Sequence, residues 1–289
     1  QCGSPVEMTW DVFARAVLHL YLGGQAVGTA CAALLTGGAN PCGKLAETMP
    51  VRLEDAPCAP WYPGREATCE YREGLFVGYR YYASAHKRVK YPFGYGLSYT
   101  EFSYAPGEWS PGGVRFTIKN TGSRTGAEVA QVYIRAKTGG MLRPALTLGG
   151  FVRVELLPGE EKTVSVPLSE RSFAVWSRAK NRWVVEEGEY ELCIGASAQD
   201  LRLTHTVRVA GEPPVDEYAG SVFDVYRRAD VQHVSDESFA ALLGRGIPPT
   251  RWAERGAVDF NDAISRGKTL PGGLGRTVYT LLETARRVA

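Results

Sequence analysis

From Val114 onward the hydrophobic period of this chain is two. Val114, Phe116 and Ile118 alternate with Arg115, Thr117 and Lys119, and Ala130, Val132 and Ile134 repeat the pattern. Successive side chains on a strand point to opposite faces, so this period means strands with one buried face. Further strands are expected at 148–156, 163–168, 183–185, 190–194 and 201–209. Asn120-Thr121-Gly122, Pro158-Gly159-Glu160 and Glu187-Gly188-Glu189 supply turns. About seven short strands so spaced predict a β-sandwich, of the immunoglobulin or fibronectin type III kind.

The chain before Val114 reads differently. Residues 1–10 resemble a strand end followed by a Gly3-Ser4-Pro5 turn. Val12, Phe13, Ala16, Val17 and Leu20 have helical spacing and predict a helix over 11–22, stopped by Gly23-Gly24. A second helix of small apolar residues is expected over 25–36, ended by Gly37, because glycine tolerates the left-handed position after a helix. Asn40-Pro41-Cys42-Gly43 is a turn, 44–50 a short strand, and 51–64 a proline-rich ordered loop. Together these read as the last third of an α/β layer.

At the change of period lies YREGLFVGYRYYASAHKRVKYPFGYGLSYTEFSY, residues 71–104, with eleven aromatic residues. Each ring buries roughly 150–250 Å², so the stretch is expected to clamp two domains rather than tether them. Beyond the sandwich, Gly211-Glu212-Pro213-Pro214 marks its end. Ser235 can cap a helix through Phe239, Leu242 and Leu243, stopped by Gly244. Leu274, Val278, Leu281, Ala285 and Val288 predict an amphipathic C-terminal helix, docked on the protein or at a homo-oligomer contact.

The chain has 289 residues and a net charge of +2 with both signs dispersed. No basic footprint for nucleic acid and no polybasic membrane patch is expected. No apolar run approaches the ~18–20 residues that span a bilayer. The six cysteines form no C-x-x-C pair, which points to reduced thiols and a cytoplasmic setting. The chain begins at Gln1 without Met, in what reads as the end of a strand, so its true N-terminus is expected to lie further upstream.

Motifs that could carry chemistry are few. Residues 38–45 nearly spell a phosphate-binding loop, but Leu45 stands where a magnesium-binding hydroxyl is needed, and Pro41 removes a backbone donor. The histidines at 19, 86, 205 and 233 share no ligand spacing. The carboxylate pairs Glu54-Asp55, Glu160-Glu161, Glu186-Glu187 and Asp236-Glu237 lie at turns and are expected to be solvated. Glu66, Glu70 and Glu73 adjoin the aromatic stretch. Glu73 is read as an ion pair or backbone cap in preference to a catalytic acid. No catalytic, cofactor-binding or metal-binding residue is assigned, and no cofactor is expected.

Three segments carry a family resemblance: YLGGQAVGTACAALLTGGANPCGKLAETMP, YREGLFVGYRYY and YPFGYGLSYTEFSY. With EVAQVYIRA, GGFVRVELLPGEEKTVSVPL and WVVEEGEYELCIGASAQDL in the sandwich, they resemble the C-terminal half of glycoside hydrolase family 3. Residues 212–289, with SFAALLGRGIPP, are similar to extensions in bacterial members. Cys42 and Met49 depart from the small hydroxyl and the aromatic residue usual in the family. The resemblance implies β-glucosidases and related exo-acting, retaining glycosidases. These join a TIM-like barrel to an α/β sandwich, and many add a fibronectin type III-like domain. It also implies that the nucleophilic aspartate lies on a barrel and the acid/base glutamate on the α/β sandwich, neither matched by a segment here.

The fold class expected is therefore α+β multidomain: the end of an α/β sandwich domain (1–56), an aromatic linker or clamp (57–104), a fibronectin type III-like β-sandwich (105–211) and a partly helical C-terminal tail (212–289). The expected partners are a carbohydrate substrate of the full enzyme and the missing barrel domain. A stand-alone carbohydrate-binding or structural module is the alternative. Against it, the rings concentrate in the linker, and those of the sandwich fall mostly at core-like positions.

Overall fold

The computed structural model describes residues 1–251, 266–267 and 273–288. Its centre is a sandwich of two antiparallel sheets. One sheet has the order β11-β10-β5-β6, formed by Leu201–Val209, Gly188–Gly195, Gly126–Ala136 and Thr147–Leu156. The other has the order β3-β4-β7, formed by Phe102–Ser110, Gly113–Asn120 and Glu161–Pro167. The expected alternation is realised on β4, where Val114, Phe116 and Ile118 are buried and Arg115 and Lys119 face solvent. They meet Val132, Ile134, Leu156, Leu192 and Ile194 of the facing sheet, forming one apolar core. A small hairpin, β8 (Val175–Ser177) with β9 (Arg182–Val184), projects beside the sandwich. β3 starts inside the aromatic stretch and pairs along β4, so Phe102 and Tyr104 belong to the sheet.

β5 is buried on both faces. Ala130, Val132 and Ile134 enter the core, while Gln131 and Tyr133 on the opposite face are only 4% and 0% exposed. Tyr79, Ala83 and Phe93 of the aromatic stretch cover that second face, packing with Tyr133, Leu146, Cys193 and Ala198. The stretch thus closes over the sandwich, as expected of a clamp.

The N-terminal part departs from expectation. The helix predicted over 11–22 is only a short 3-10 turn, Thr9–Phe13, after which Ala14 is extended. Val12 and Phe13 are 72% and 90% exposed. An isolated segment of this length cannot sustain a helix without tertiary packing of its apolar face, and nothing among the described residues buries this one. The second expected helix does form, as α1 (Val27–Leu35), and Gly37 follows it at φ +76°. No α1 residue is buried. The strand expected over 44–50 shrinks to β1 (Met49–Pro50), paired with β2 (Val89–Tyr91).

Beyond the sandwich, the chain turns back over the aromatic stretch. α2 (Tyr79–Ser84) lies within that stretch; α3 (Asp224–Arg227) and α4 (Asp236–Leu243) follow the sandwich. Ser235 caps α4 as predicted, its hydroxyl accepting from the Ser238 amide at 3.1 Å, and Gly244 ends the helix in the left-handed region. The amphipathic C-terminal helix is α5 (Gly273–Val288), with Val278 and Leu281 exposed; the predicted apolar side chains of Leu274 and Val288 lie outside the described residues. No described helix is long and apolar enough to cross a membrane.

Candidate functional site

The aromatic stretch is the junction of the molecule, and each of its borders is tied by specific contacts. Towards the sandwich, Tyr79 stacks on Phe93 at 4.6 Å and meets Tyr133 edge-on at 5.9 Å. The Tyr79 hydroxyl accepts a 2.8 Å hydrogen bond from the Leu148 amide. Gln131 donates to the carbonyls of Gly94 (3.1 Å) and Ala196 (2.9 Å), and accepts from the Tyr133 hydroxyl at 2.5 Å. Gly94 has φ +81°, and a Cβ there would fall 2.0 Å from Gln131 Oε1. Only glycine fits both that backbone conformation and that approach.

Towards the N-terminal part, Leu45 and the 94–95 turn exchange backbone hydrogen bonds of 2.8 Å. Asn40 accepts from Ser98 Oγ and the Tyr99 amide, and donates to the Thr125 carbonyl. Lys44 pairs with Glu128 at 2.9 Å. The near-match to a phosphate loop is therefore a packed turn: its lysine is spent on a carboxylate of β5. Asp11 accepts from Lys90 and Tyr91, both at 2.7 Å. Those bonds hold the Asp11 carboxyl below the usual range and push the Tyr91 phenol up to about 12.

Towards the C-terminal extension, Phe76, Tyr81, Tyr82 and Val89 bury with Tyr226, Val231, Val234 and Phe239. Arg72 is the pin between them. Its guanidinium lies over Trp61 at 4.4 Å and Phe239 at 5.0 Å. It donates to the Val234 carbonyl, Asp236 and Glu70 at 3.1, 2.6 and 2.7 Å.

Glu73 is different from what its neighbours suggested. It is 5% exposed, and its Oε2 has no hydrogen-bond partner among the described residues. Of the two roles expected of it, ion pair or backbone cap, the ion pair is made by Arg72 with Glu70 and Asp236 instead, and the carboxylate meets only its own backbone N–H. Burial pushes the Glu73 carboxyl up, partly offset by its own backbone N–H. Tyr226 is fully buried nearby, with its hydroxyl also unpartnered. Two-carboxylate glycoside hydrolysis needs a pair about 5–10 Å apart around the scissile bond, and a single buried acid does not supply it.

Glu186 also corrects the sequence reading: it is 2% exposed rather than solvated. It accepts from the amides of Gly140, Met141 and Val215 at 2.9, 3.1 and 3.3 Å and pairs with Arg143 at 2.5 Å. Its role is to satisfy the backbone of the loop after β5 and of the chain leaving the sandwich. Its position beside Glu187 gave no sign of this. Asp55 accepts from the Arg52 amide and Glu160 from the Leu157 amide, as turn residues do, whereas Asp236 and Glu237 open α4 and Asp236 pairs with Arg72.

The histidines are scattered. His19 packs on Tyr21, His205 on Trp109, and His233 bonds Asp230 at 2.6 Å. No group of three or more His, Cys, Asp or Glu that could hold a metal ion occurs among the described residues.

The N-terminal part exposes large apolar side chains. Trp10, Leu22, Leu35, Leu53, Tyr71 and Leu97 are between 50% and 78% exposed. Single exposed apolar residues are ordinary, but this many, beside an α1 with no fully buried residue, make an apolar surface of the kind that partners cover.

Residues 1–99 match the model of the glycosyl hydrolase family 3 C-terminal domain, and residues 128–198 match that of a fibronectin type III-like domain. The chain carries the C-terminal domain of glycoside hydrolase family 3, followed by a fibronectin type III-like domain. It is 42% identical over 255 residues to thermostable β-glucosidase B of Acetivibrio thermocellus, an alignment covering 84% of this chain and 32% of that protein. It is 41% identical over 208 residues to an exo-α-(1→6)-L-arabinopyranosidase of Bifidobacterium breve, covering 70% of this chain and 28% of that protein. Among solved structures, the β-glucosidase DesR of Streptomyces venezuelae, determined with D-glucose, superposes with a TM-score of 0.67 at 38% identity, over 72% of this chain and 28% of DesR. A family 3 β-glucosidase of Bifidobacterium adolescentis covers 90% of this chain and 33% of its own, with a TM-score of 0.62 at 31% identity. The chain spans about a third of the length of the curated relatives it matches.

Proposed function

We propose that this chain is the C-terminal portion of a retaining, exo-acting glycosidase of the β-glucosidase type, which removes terminal β-linked sugars. The observation that carries this reading is the uncovered apolar surface of residues 1–99, the part that matches the family's C-terminal domain. The relatives are about three times longer than the matched region, and their remaining length is the occupant that would cover the surface. The catalytic pair belongs to that remaining length. The role of this chain is to brace it: the aromatic junction fixes the 1–56 segment against the sandwich, and the extension locks the junction through Arg72. The six cysteines are all free, which fits a cytoplasmic setting.

The test is to assay the chain on an aryl β-glucoside. No turnover is expected, because the catalytic pair is assigned to the length of the relatives that this chain does not span. Turnover that Glu73→Gln abolishes would overturn the reading and make Glu73 a catalytic acid.

A further inference from the structure

We propose that the groove at one end of the sandwich is a second binding site for a neutral oligosaccharide, separate from the uncovered surface. The groove holds about 810 Å³, within the roughly 300–1,000 Å³ of ordinary ligand sites. It lies where the β3–β4 turn, the end of β11 and the β8–β9 hairpin converge. Its floor is apolar, made of the core residues Leu168, Phe173 and Val209.

The rim is what selects a sugar. Trp183 is 43% exposed, although the Arg171 guanidinium lies over its ring and Trp176 meets it edge-on at 5.6 Å. Most rings of the sandwich fall at core-like positions; these two are on the hairpin, in solvent. Arg182 is spent on Glu212 at 2.5 Å. Arg171, Arg208 and Glu170 line the groove, and their side chains have no hydrogen-bond or ion-pair partner among the described residues.

A pyranose presents apolar C–H faces and hydroxyls that each donate and accept. It therefore needs an apolar or aromatic platform with donors and acceptors both free beside it. The Arg208 guanidinium supplies free donors, and Glu170 supplies an acceptor. A simple anion would face Glu170 and Glu212, and a cation would face three arginines. The mixed rim over an apolar floor fits a neutral polyol better than either.

The glycosidase reading enters only in the choice of probe. The full chain is titrated with cellotetraose, followed by tryptophan fluorescence and calorimetry. Saturable binding is expected, weakened at least tenfold (about 1.4 kcal/mol) by Trp183→Ala and by Arg208→Ala. Phe151→Ala, which removes an exposed ring outside the groove, should leave it unchanged. Unfolding midpoints establish that each variant is folded. The proposal is overturned if the wild-type chain shows no saturable binding, if both groove variants bind like wild type, or if inorganic phosphate binds more tightly than the sugar. Glycosidase activity in a longer protein without binding here would sink this proposal and leave the functional reading standing; binding here without such activity would do the reverse.

Discussion

Replacing Arg72 by methionine should cost about 3 kcal/mol of stability, concentrated where the extension docks on the aromatic junction. The guanidinium is 5% exposed and faces Glu70, which is 8% exposed. Removing one member of such a buried pair costs about 3–5 kcal/mol, because the other charge is left uncompensated. Two further losses point the same way: the Val234 carbonyl loses a donor, and Trp61 and Phe239 lose the cation between them, worth about 0.5–2 kcal/mol. Methionine returns part of the packing, which keeps the estimate at the lower end. Asp236 makes an equally short contact but is 81% exposed, so water screens it. Asp236→Asn should therefore cost under about 1 kcal/mol. Hydrogen exchange of the 236–243 amides reads the local free energy, and urea unfolding reads the total. Equal costs for Arg72→Met and Asp236→Asn, or a loss under 1 kcal/mol for the former, would refute the view that burial makes Arg72 the pin.

Four other outcomes are expected. Gly94→Ala should lower stability by at least about 2 kcal/mol, since it combines a positive φ with a 2.0 Å approach to Gln131; an unchanged thermal midpoint would contradict this. Tyr79→Phe should cost about 1–3 kcal/mol by leaving the Leu148 amide without its acceptor, measurable by urea unfolding. Burial raises the Glu73 carboxyl above its usual value of 4.5, so the folded chain binds this proton more tightly than the unfolded chain. Its contribution is complete below 4.5 and is lost as pH rises through the raised folded value. Glu73→Gln should thus stabilise the chain at neutral pH relative to wild type, with the difference vanishing in acid; a pH-independent difference would show that the carboxyl is not the cause. Burial also pushes the Cys193 thiol up to about 12, and this residue is 0% exposed. In the folded chain it should resist a thiol reagent at pH 8 while the exposed Cys69 reacts.

The sandwich was legible because its signal is local. Alternation on β4 and turns at 120–122 and 158–160 specify pairing and register without knowledge of the rest. β5 was only half legible. Its AEVAQVYIRA run is nearly continuous in burial because the aromatic junction covers the face that alternation assigns to solvent. The helix expected over 11–22 failed for the converse reason: its spacing is amphipathic, but among the described residues nothing covers the apolar side. Glu186 beside Glu187 and Glu73 beside Arg72 carry no local sign of their fate, yet one is saturated with donors and the other has an unpartnered oxygen. That difference depends on which distant backbone reaches each carboxylate. For Glu186 the donors come from residues 140, 141 and 215. The exposure of Trp176 and Trp183 was not legible, because strands of three residues are too short for period two to reveal a face.

The central claim is that residues 1–99 present a surface built to be covered by the remainder of a family 3 glycosidase, with the sandwich and extension bracing it. The most direct measurement replaces the matching C-terminal third of the Acetivibrio thermocellus thermostable β-glucosidase B with this chain and assays the product on an aryl β-glucoside. A folded chimera that turns over substrate, and no longer binds the hydrophobic dye that the isolated chain binds, is the predicted result. A folded chimera that is inactive and still binds the dye as the isolated chain does would contradict the account.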